Sequence, residues 1–282
     1  MSAAVDLDHL RRWIGRTVER EAVVDPWPAR ALAATLDRER APAPGEPLPP
    51  FWHQLYALEA ARPGEVGRDG HRQLGGFLPP LADARRMWAG GRLSLPGEIR
   101  IGETVRRRSE VVDVQLKSGA SGPLVFVLVR HEIDTARGLA ATEEHDIVYR
   151  LPPVAAAPPP VTAPAEAAWR REHVADPVLL FRFSALTFNG HRIHYDRTFA
   201  IEVEGYSGLV VHGPLLATLL LELVGREVPG RRVERFAFRA RAPLTDGEPF
   251  AACGAPAEGG AKLWIARGDG ALAMAAEASF SA

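Results

Sequence analysis

One segment constrains the fold more than any other, because its side chains are apolar nearly all the way round a helix. The segment GPLLATLLLELVG extends from Gly213 to Gly225. Pro214 suits the first turn of a helix and Gly225 suits its end, which predicts a complete helix. Thr218 and Glu222 are its only polar side chains and lie four apart, on one narrow stripe. A helix with this pattern has to be buried on almost every side.

The segments that follow this helix predict an antiparallel sheet around it. At 1.5 Å per residue the helix is only about 16 Å long. Three strands are predicted after it, over 233–241, 262–267 and 271–280, and Gly268-Asp269-Gly270 is a good tight turn between the last two. A sheet that curls around one short buried helix is the hot-dog architecture. We therefore predict the α+β fold class.

A proline-rich stretch divides the chain into two units. Residues 151–165, LPPVAAAPPPVTAPA, carry six prolines, which exclude a helix or a central strand there. We predict an N-terminal unit over 1–150, an extended linker over 151–165 and a C-terminal unit over 166–282. In the first unit we expect helices near 7–21 and 28–40, and strands at 112–117, 124–129 and 147–149.

Composition excludes several classes of function. The 34 Lys and Arg residues against 35 Asp and Glu give a net charge of −1, which does not favour nucleic-acid binding. The single cysteine, Cys253, excludes an internal disulfide and a cysteine-rich zinc site. The N-terminal residues lack the apolar core of a signal peptide, and the longest apolar run is too short for a membrane span. We expect a soluble cytoplasmic protein with no nucleic-acid or membrane partner.

A dense polar cluster precedes the apolar helix by about twenty residues. It lies in FSALTFNGHRIHYD (183–196), an otherwise strand-like stretch, and contains Asn189, His191, His194 and Asp196. The Asn-Gly pair predicts a loop. Three interpretations remain open: a solvated surface loop, a metal site formed by His191, His194 and Asp196, or general acid–base catalysis by His194. The ordinary pKa of histidine, about 6.5, suits proton transfer near neutrality.

The start of the apolar helix is the second candidate site. The first amides of a helix have no intrahelical acceptor and carry a partial positive charge. Beside a thioester carbonyl they would stabilise the enolate oxygen formed when the α-carbon loses a proton. Pro214 has no amide hydrogen, so Gly213 or Leu215 would be the donor. The alternative is that Gly213 only permits a turn and close packing.

FSALTFNGHRIHYD together with EGYSGLVVHGPLLATLLLEL resembles the MaoC-like hydratases, in particular the type 2 hydroxyacyl-thioester dehydratases and the mesaconyl-CoA hydratases similar to them. The resemblance continues in the first unit, through FWHQLYALEA, DGHRQLGGFLPP, RRMWAGGRL, SGPLVFVLVRHEI and DIVYR. It implies a double hot-dog, two hot-dog units each wrapped around a central helix, with a degenerate first half. It implies a hydro-lyase for acyl thioesters, a short branched diacid such as mesaconyl-CoA included. Coenzyme A would enter only as part of the substrate, with acyl-carrier protein as the other carrier. We expect no metal or redox cofactor, and a monomer or homodimer.

The resemblance also assigns residues. The family motif is Asp, any, Asn, any, any, His, with an acidic residue two positions later. His194 falls on the motif histidine, Asp196 on the acidic position, and Gly213 on the glycine that begins the central helix and whose amide holds the thioester oxygen. Asn189 replaces the motif aspartate and His191 the motif asparagine. We expect His194 and Asn189 to be catalytic, and Gly213, His191 and Asp196 to bind the oxyanion or substrate.

Asn189 restricts the mechanism, because an amide orients a hydroxyl but does not exchange a proton at neutral pH. Proton transfer would then rest mainly on His194, with His191 or an ordered water as second partner. Two other functions remain open. A hot-dog thioesterase would release free thiol, with Glu222 as the one acidic residue on the helix. A non-catalytic thioester-binding protein would bind substrate without turnover.

Two groups of arginines are weaker candidates. Arg85 and Arg86 could contact a phosphate or an acyl carboxylate, with Trp52, Met87 and Trp88 lining an acyl or pantetheine channel. The alternative, which we favour, is that RRMW forms a structural helix with solvated arginines. Arg235, Arg239 and Arg241 could likewise contact coenzyme A phosphates, although we again favour a solvated strand face.

Overall fold

Ten strands form one antiparallel sheet in the computed structural model, which describes residues 5–81, 84–119, 122–151 and 159–281. The strands are β1 (Thr17–Val23), β2 (Arg85–Ser94), β3 (Thr104–Gly119), β4 (Gly122–Thr135), β5 (Gly138–Arg150), β6 (Trp169–Val174), β7 (Val233–Ala240), β8 (Pro249–Ala257), β9 (Gly260–Arg267) and β10 (Leu272–Phe280). The α-helices are α1 (Leu7–Arg11), α2 (Pro26–Thr35), α3 (Pro177–Leu186) and α4 (Gly213–Glu227). Short 3₁₀ turns occur at Trp52–Leu55, Pro63–Glu65 and Arg192–His194, and a π-helical turn at Phe199–Val203.

The two halves of the sheet repeat the same topology. The strand order is β1-β3-β4-β5-β2-β7-β10-β9-β8-β6, so each half has the order first-third-fourth-fifth-second, and the halves meet where β2 pairs with β7. A helix follows the first strand of each half, and both helices begin at an Asp-Pro pair whose aspartate, Asp25 or Asp176, caps the first turn. α2 and α3 pack against each other. The predicted double hot-dog fold is confirmed.

α4 is the buried helix that the sequence predicts. Leu215, Ala217 and Leu220 are fully buried, and the helix ends two residues beyond the predicted Gly225. Its polar stripe is also used: Thr218 donates to the carbonyl of Pro214 at 2.8 Å, and Glu222 lies 3.2 Å from Arg38. Burial of apolar surface therefore holds α4 against β6, β8, β9 and β10.

The first half departs from the expectation of a central helix in each unit. A β-bridge between Pro47 and Arg100 matches the bridge between Val210 and Thr245 that precedes α4. At the position that corresponds to α4, the first half has a 3₁₀ turn at Trp52–Leu55. Phe51 adopts a φ of 72°, which interrupts a right-handed helix. α2 is thus the longest helix within the described part of this half.

Other local predictions were wrong, in two cases because the residues pair with strands that are distant in the sequence. The helix expected over 7–21 ends at Arg11, because residues 17–23 pair with β3. RRMW is not a helix: it opens β2, the strand that joins the two halves. The strand-like stretch before the polar cluster is α3.

Residues 152–158 of the predicted linker lie outside the described residues, whereas Thr162 bridges to Ala271. None of the described helices is long and apolar enough to cross a bilayer.

Candidate active site

The polar cluster is a loop that starts where α3 ends. Phe188 has a φ of 48°, and the amide of Asn189 donates to the carbonyl of Ser184 at 2.8 Å. Oδ1 of Asn189 accepts from the amide of His191 at 3.0 Å, which closes an Asx turn. The amide nitrogen of the Asn189 side chain remains as a donor for another group. The turn directs the next histidines toward the start of α4.

His194 is buried, and its hydrogen bond identifies the ring nitrogen that carries the hydrogen. Nδ1 lies 2.7 Å from the carbonyl oxygen of Val210. Because a carbonyl only accepts, Nδ1 carries the hydrogen and Nε2 keeps its lone pair. Burial lowers the pKa of His194 to about 4, against the opposing hydrogen bond to Val210. At neutral pH this side chain is therefore a neutral base.

His212, the residue before α4, stacks against the ring of His194. The two rings are nearly parallel, with centroids 3.7 Å apart and planes 18° apart. Nε2 of His212 lies 2.8 Å from Oγ of Ser184, which fixes the ring against α3. Burial, followed by the neighbouring His194, lowers the pKa of His212 well below its ordinary value. Two stacked neutral imidazoles thus lie at the amino end of α4.

Gly213 is the first residue of α4 and directly follows His212. Its amide is one of the four at a helix start without an intrahelical acceptor. A Cβ added at Gly213 would meet no described atom within 4 Å apart from its own helix backbone and chain neighbours, so open space adjoins the Cα of this residue. His194 stacks on His212, so both His194 and Gly213 lie near the amino end of α4.

Asp196 is engaged in local contacts. Oδ2 accepts from Nη2 of Arg192 at 2.7 Å, and Oδ1 accepts from the amide of Phe199 at 3.0 Å. These hydrogen bonds, together with Arg192, lower the pKa of Asp196 below its ordinary value. Both carboxylate oxygens hold the turn that follows His194.

A loop of the first half completes the site. The amide of Arg192 donates to the carbonyl of Asp69 at 2.9 Å. Gly70 has a φ of +89°, and a Cβ there would collide with the carbonyl oxygen of Gly190, so this approach requires glycine. This contact places the ring centroid of His71 4.1 Å from the ring centroid of His191. The site is therefore built by both halves.

Asp69 and His71 form a hydrogen-bonded pair. Oδ2 of Asp69 lies 2.8 Å from Nδ1 of His71, and Oδ1 accepts from the His71 amide at 3.0 Å. Although burial opposes it, the hydrogen bond from His71 lowers the pKa of Asp69. Burial, followed by the charge of Arg86, lowers the pKa of His71. The pair thus consists of a carboxylate and a neutral imidazole.

One atom each of Asp69, His71 and His191 lie within 4.8 Å of one another, a grouping that could hold a metal ion. We interpret it as a hydrogen-bonded cluster, because Asp69 already uses both oxygens on His71. The metal set considered from sequence, with His194 and Asp196, is not the grouping that forms. His194 binds a carbonyl through Nδ1, and Asp196 pairs with Arg192.

Sequence reasoning missed Asp69, His71 and Ser184 as parts of the site. Asp69 and His71 are about 120 residues from His191, and only the fold brings them there. Their signal is a histidine beside glycines in DGHRQLGG, which marks close backbone approach but not its partner. Ser184 lies within the cluster that was singled out, yet its contact with His212 depends on α3 being a helix.

Comparisons with known proteins identify one family model and two relatives that this chain resembles. A family model for hydroxyacyl-thioester dehydratase type 2 matches residues 51–246. A mesaconyl-C(4)-CoA hydratase of Chloroflexus aurantiacus is 47% identical over 267 residues, covering 94% of this chain and 95% of the relative. A mitochondrial hydroxyacyl-thioester dehydratase type 2 of Schizosaccharomyces pombe is 27% identical over 245 residues, covering 78% of this chain and 81% of the relative.

Solved structures agree on the fold. HtdX of Mycobacterium tuberculosis superposes with a TM-score of 0.68 at 19% identity, covering 94% of this chain and all of that one. A second M. tuberculosis protein, with a double hot-dog fold, gives a TM-score of 0.58 at 15% identity, covering 95% and 96%. At such low identity these likenesses concern the fold alone. The family match and the 47% identical relative span both halves, and the chain belongs to the hydroxyacyl-thioester dehydratase type 2 family.

Proposed function

We propose that this protein is a hydro-lyase that adds water across the α,β double bond of an acyl-CoA thioester, and removes it in reverse. The observation that carries the proposal is the buried neutral His194, whose ring stacks on His212 at the amino end of α4 and whose Nε2 has no hydrogen-bond partner among the described residues. A base and an oxyanion donor side by side are what removal of an α-proton from a thioester requires. Relatives named for hydration and dehydration support the same chemistry.

In this proposal the site residues act at two positions of the substrate, the α-carbon with its thioester oxygen and the β-carbon with its hydroxyl. The amide of Gly213 binds the thioester oxygen, which places the α-carbon at Nε2 of His194. Asn189, whose Oδ1 is used in its turn, donates its side-chain amide to the oxygen on the β-carbon. His191, next along the loop, lies on the same side as that oxygen. Asp196 positions the loop through Arg192 rather than by touching substrate.

The acyl group of this proposal is a short branched diacid. A C4 thioester of mesaconate carries a free carboxylate and a methyl group on the carbon that receives the hydroxyl. That carboxylate needs a cation near His191. Arg85 and Arg86 are neighbours on β2, so their side chains point to opposite faces. Arg85 lies 3.2 Å from Glu204 and donates to the Glu204 carbonyl at 2.9 Å.

Arg86 faces the site. It lies opposite Tyr149 in the β2–β5 register, and the hydroxyl of Tyr149 is buried without a hydrogen-bond partner among the described residues. Burial and the neighbouring histidines lower the pKa of His191 to about 2, and the positive charge of Arg86 contributes to the shift. Arg86 and Tyr149 therefore provide a cation and a donor for the carboxylate on the β-carbon.

Replacing Arg86 should change substrate preference. In Arg86→Met we expect kcat/KM for the mesaconyl-C4 thioester to fall about 10- to 100-fold, the range for a lost charged hydrogen bond. Crotonyl-CoA, which lacks the carboxylate, should be hydrated as by the wild type. Steady-state kinetics on both substrates provide the measurement, with Arg106→Met, an exposed arginine of β3, as the control. An equal loss on both substrates would remove Arg86 from carboxylate recognition.

The reaction itself is tested with purified protein and a panel of enoyl thioesters, including mesaconyl-C4-CoA, crotonyl-CoA and an acyl-carrier protein ester. Absorbance of the conjugated thioester and free thiol are followed together. We expect absorbance to fall without thiol release, and to do so equally after dialysis against EDTA. Thiol release would assign a thioesterase instead. Binding of the esters without turnover would assign the non-catalytic role.

A further inference from the structure

Hydration moves one proton from water to the α-carbon. A protein group therefore has to hold this proton after it leaves the β-oxygen and before it reaches the α-carbon. In the family motif a carboxylate stands at position 189, where this chain has an amide that cannot hold a proton. His194 exchanges the proton with the α-carbon. The oxygen side needs a group that stabilises an added proton, and none of Asn189, Gly213 or Asp196 provides one.

The first half brings a carboxylate to this side. Oδ2 of Asp69 lies 2.8 Å from Nδ1 of His71, which leaves Nε2 of His71 free to take a proton. The ring of His71 is 4.1 Å from that of His191, and His191 is 5.4 Å from His194. Three imidazoles therefore run from Asp69 to the catalytic base. Among the described site histidines, His71 is the one with a carboxylate partner.

We propose that Asp69 and His71 replace the carboxylate missing at position 189, by holding the transferred proton on the β-oxygen side through His191. During hydration, water attacks the β-carbon as its O–H bond breaks, and the proton passes through His191 to Nε2 of His71. Asp69 balances the charge of the imidazolium. The electron pair of the double bond moves to the α-carbon and the thioester oxygen. The proton returns through His191 and His194 to the α-carbon, so atoms and charges balance.

The inference rests on the proposed hydratase reaction and predicts a specific rescue. In His71→Asn we expect kcat to fall at least tenfold, of the order of a hundredfold, with the smaller share falling on KM. Adding Asn189→Asp to His71→Asn should restore most of kcat, because aspartate can keep the Asx turn and supplies the missing carboxylate. Asp69→Asn, which can still accept from the His71 amide, should behave like His71→Asn.

The measurements are kcat, KM and the pH profile of kcat for each variant on one enoyl thioester, with thermal unfolding to show that each folds. His173→Asn, a partly buried histidine stacked on Phe250 away from the site, is the control and should keep wild-type kcat. The double variant should also show a pH profile different from the wild type, since an aspartate now holds the proton.

Wild-type kcat in His71→Asn, or a loss that Asn189→Asp does not restore, would overturn the inference while leaving the hydratase assignment intact. Loss of wild-type activity on EDTA treatment, regained with Zn²⁺, would make Asp69, His71 and His191 a metal site and overturn it as well. A wild-type protein that hydrates no thioester in the panel would overturn both the proposed function and this inference.

Discussion

His194→Ala is expected to lower kcat for hydration by about 10²–10⁴-fold, the usual contribution of a general acid–base group. The reason is geometric: Nδ1 is fixed on the carbonyl of Val210, so Nε2 is held as the acceptor beside the start of α4. The neighbouring His212 cannot replace it, because Nε2 of His212 is bound to Ser184 and the ring is fully buried. KM should change far less than kcat.

Steady-state kinetics and thermal unfolding on the same samples check this expectation, with His173→Ala as the control. The pH profile adds a second readout. Because burial lowers the pKa of His194 to about 4, the active neutral form predominates above that pH. We expect wild-type kcat/KM to rise with pH through about 4 and to level off well before neutrality. A folded His194→Ala protein with near-normal turnover would show that another group takes the proton.

The part of the fold that sequence predicts best is the part fixed by local pattern. The stripe of Thr218 and Glu222 on an otherwise apolar helix predicts burial of α4, and the structure has it so. The alternation around Phe236 and Phe238 likewise predicts β7, with both rings inside. In such segments the side chains alone specify which face is covered.

Pairing between distant segments is what local pattern could not provide. The local sequence of RRMW favours a helix, whereas its pairing with β5 and β7 makes it a strand. The same holds for the site. His194 and Gly213 were predicted from a motif within 25 residues, whereas Asp69 and His71 enter through the contact of Gly70 with Gly190. A close backbone approach of two glycines leaves no periodic signal in either segment.

The beginning of α4 offers a test in which the amide hydrogen of residue 213 is replaced by a ring carbon. In Gly213→Pro the amide donor is lost, yet proline is favoured at the first helical position. His212 has a φ of −61° and a ψ of 129°, an extended conformation that a following proline accepts. We therefore expect the variant to fold with a melting temperature near that of the wild type.

Gly213→Pro should lower kcat about 10²–10³-fold, the range for loss of one oxyanion donor. Gly213→Ala is the matched control: it keeps the amide, and its Cβ meets no described atom within 4 Å. Both variants add a Cβ, but proline also adds Cγ and Cδ, and Cδ takes the position of the amide hydrogen, so KM is measured for both to report obstruction of substrate. The difference in kcat between them therefore reports the replacement of the amide hydrogen by a ring carbon. Equal kcat for the two would assign the thioester oxygen to another donor, of which the amide of Leu215 is next along the helix.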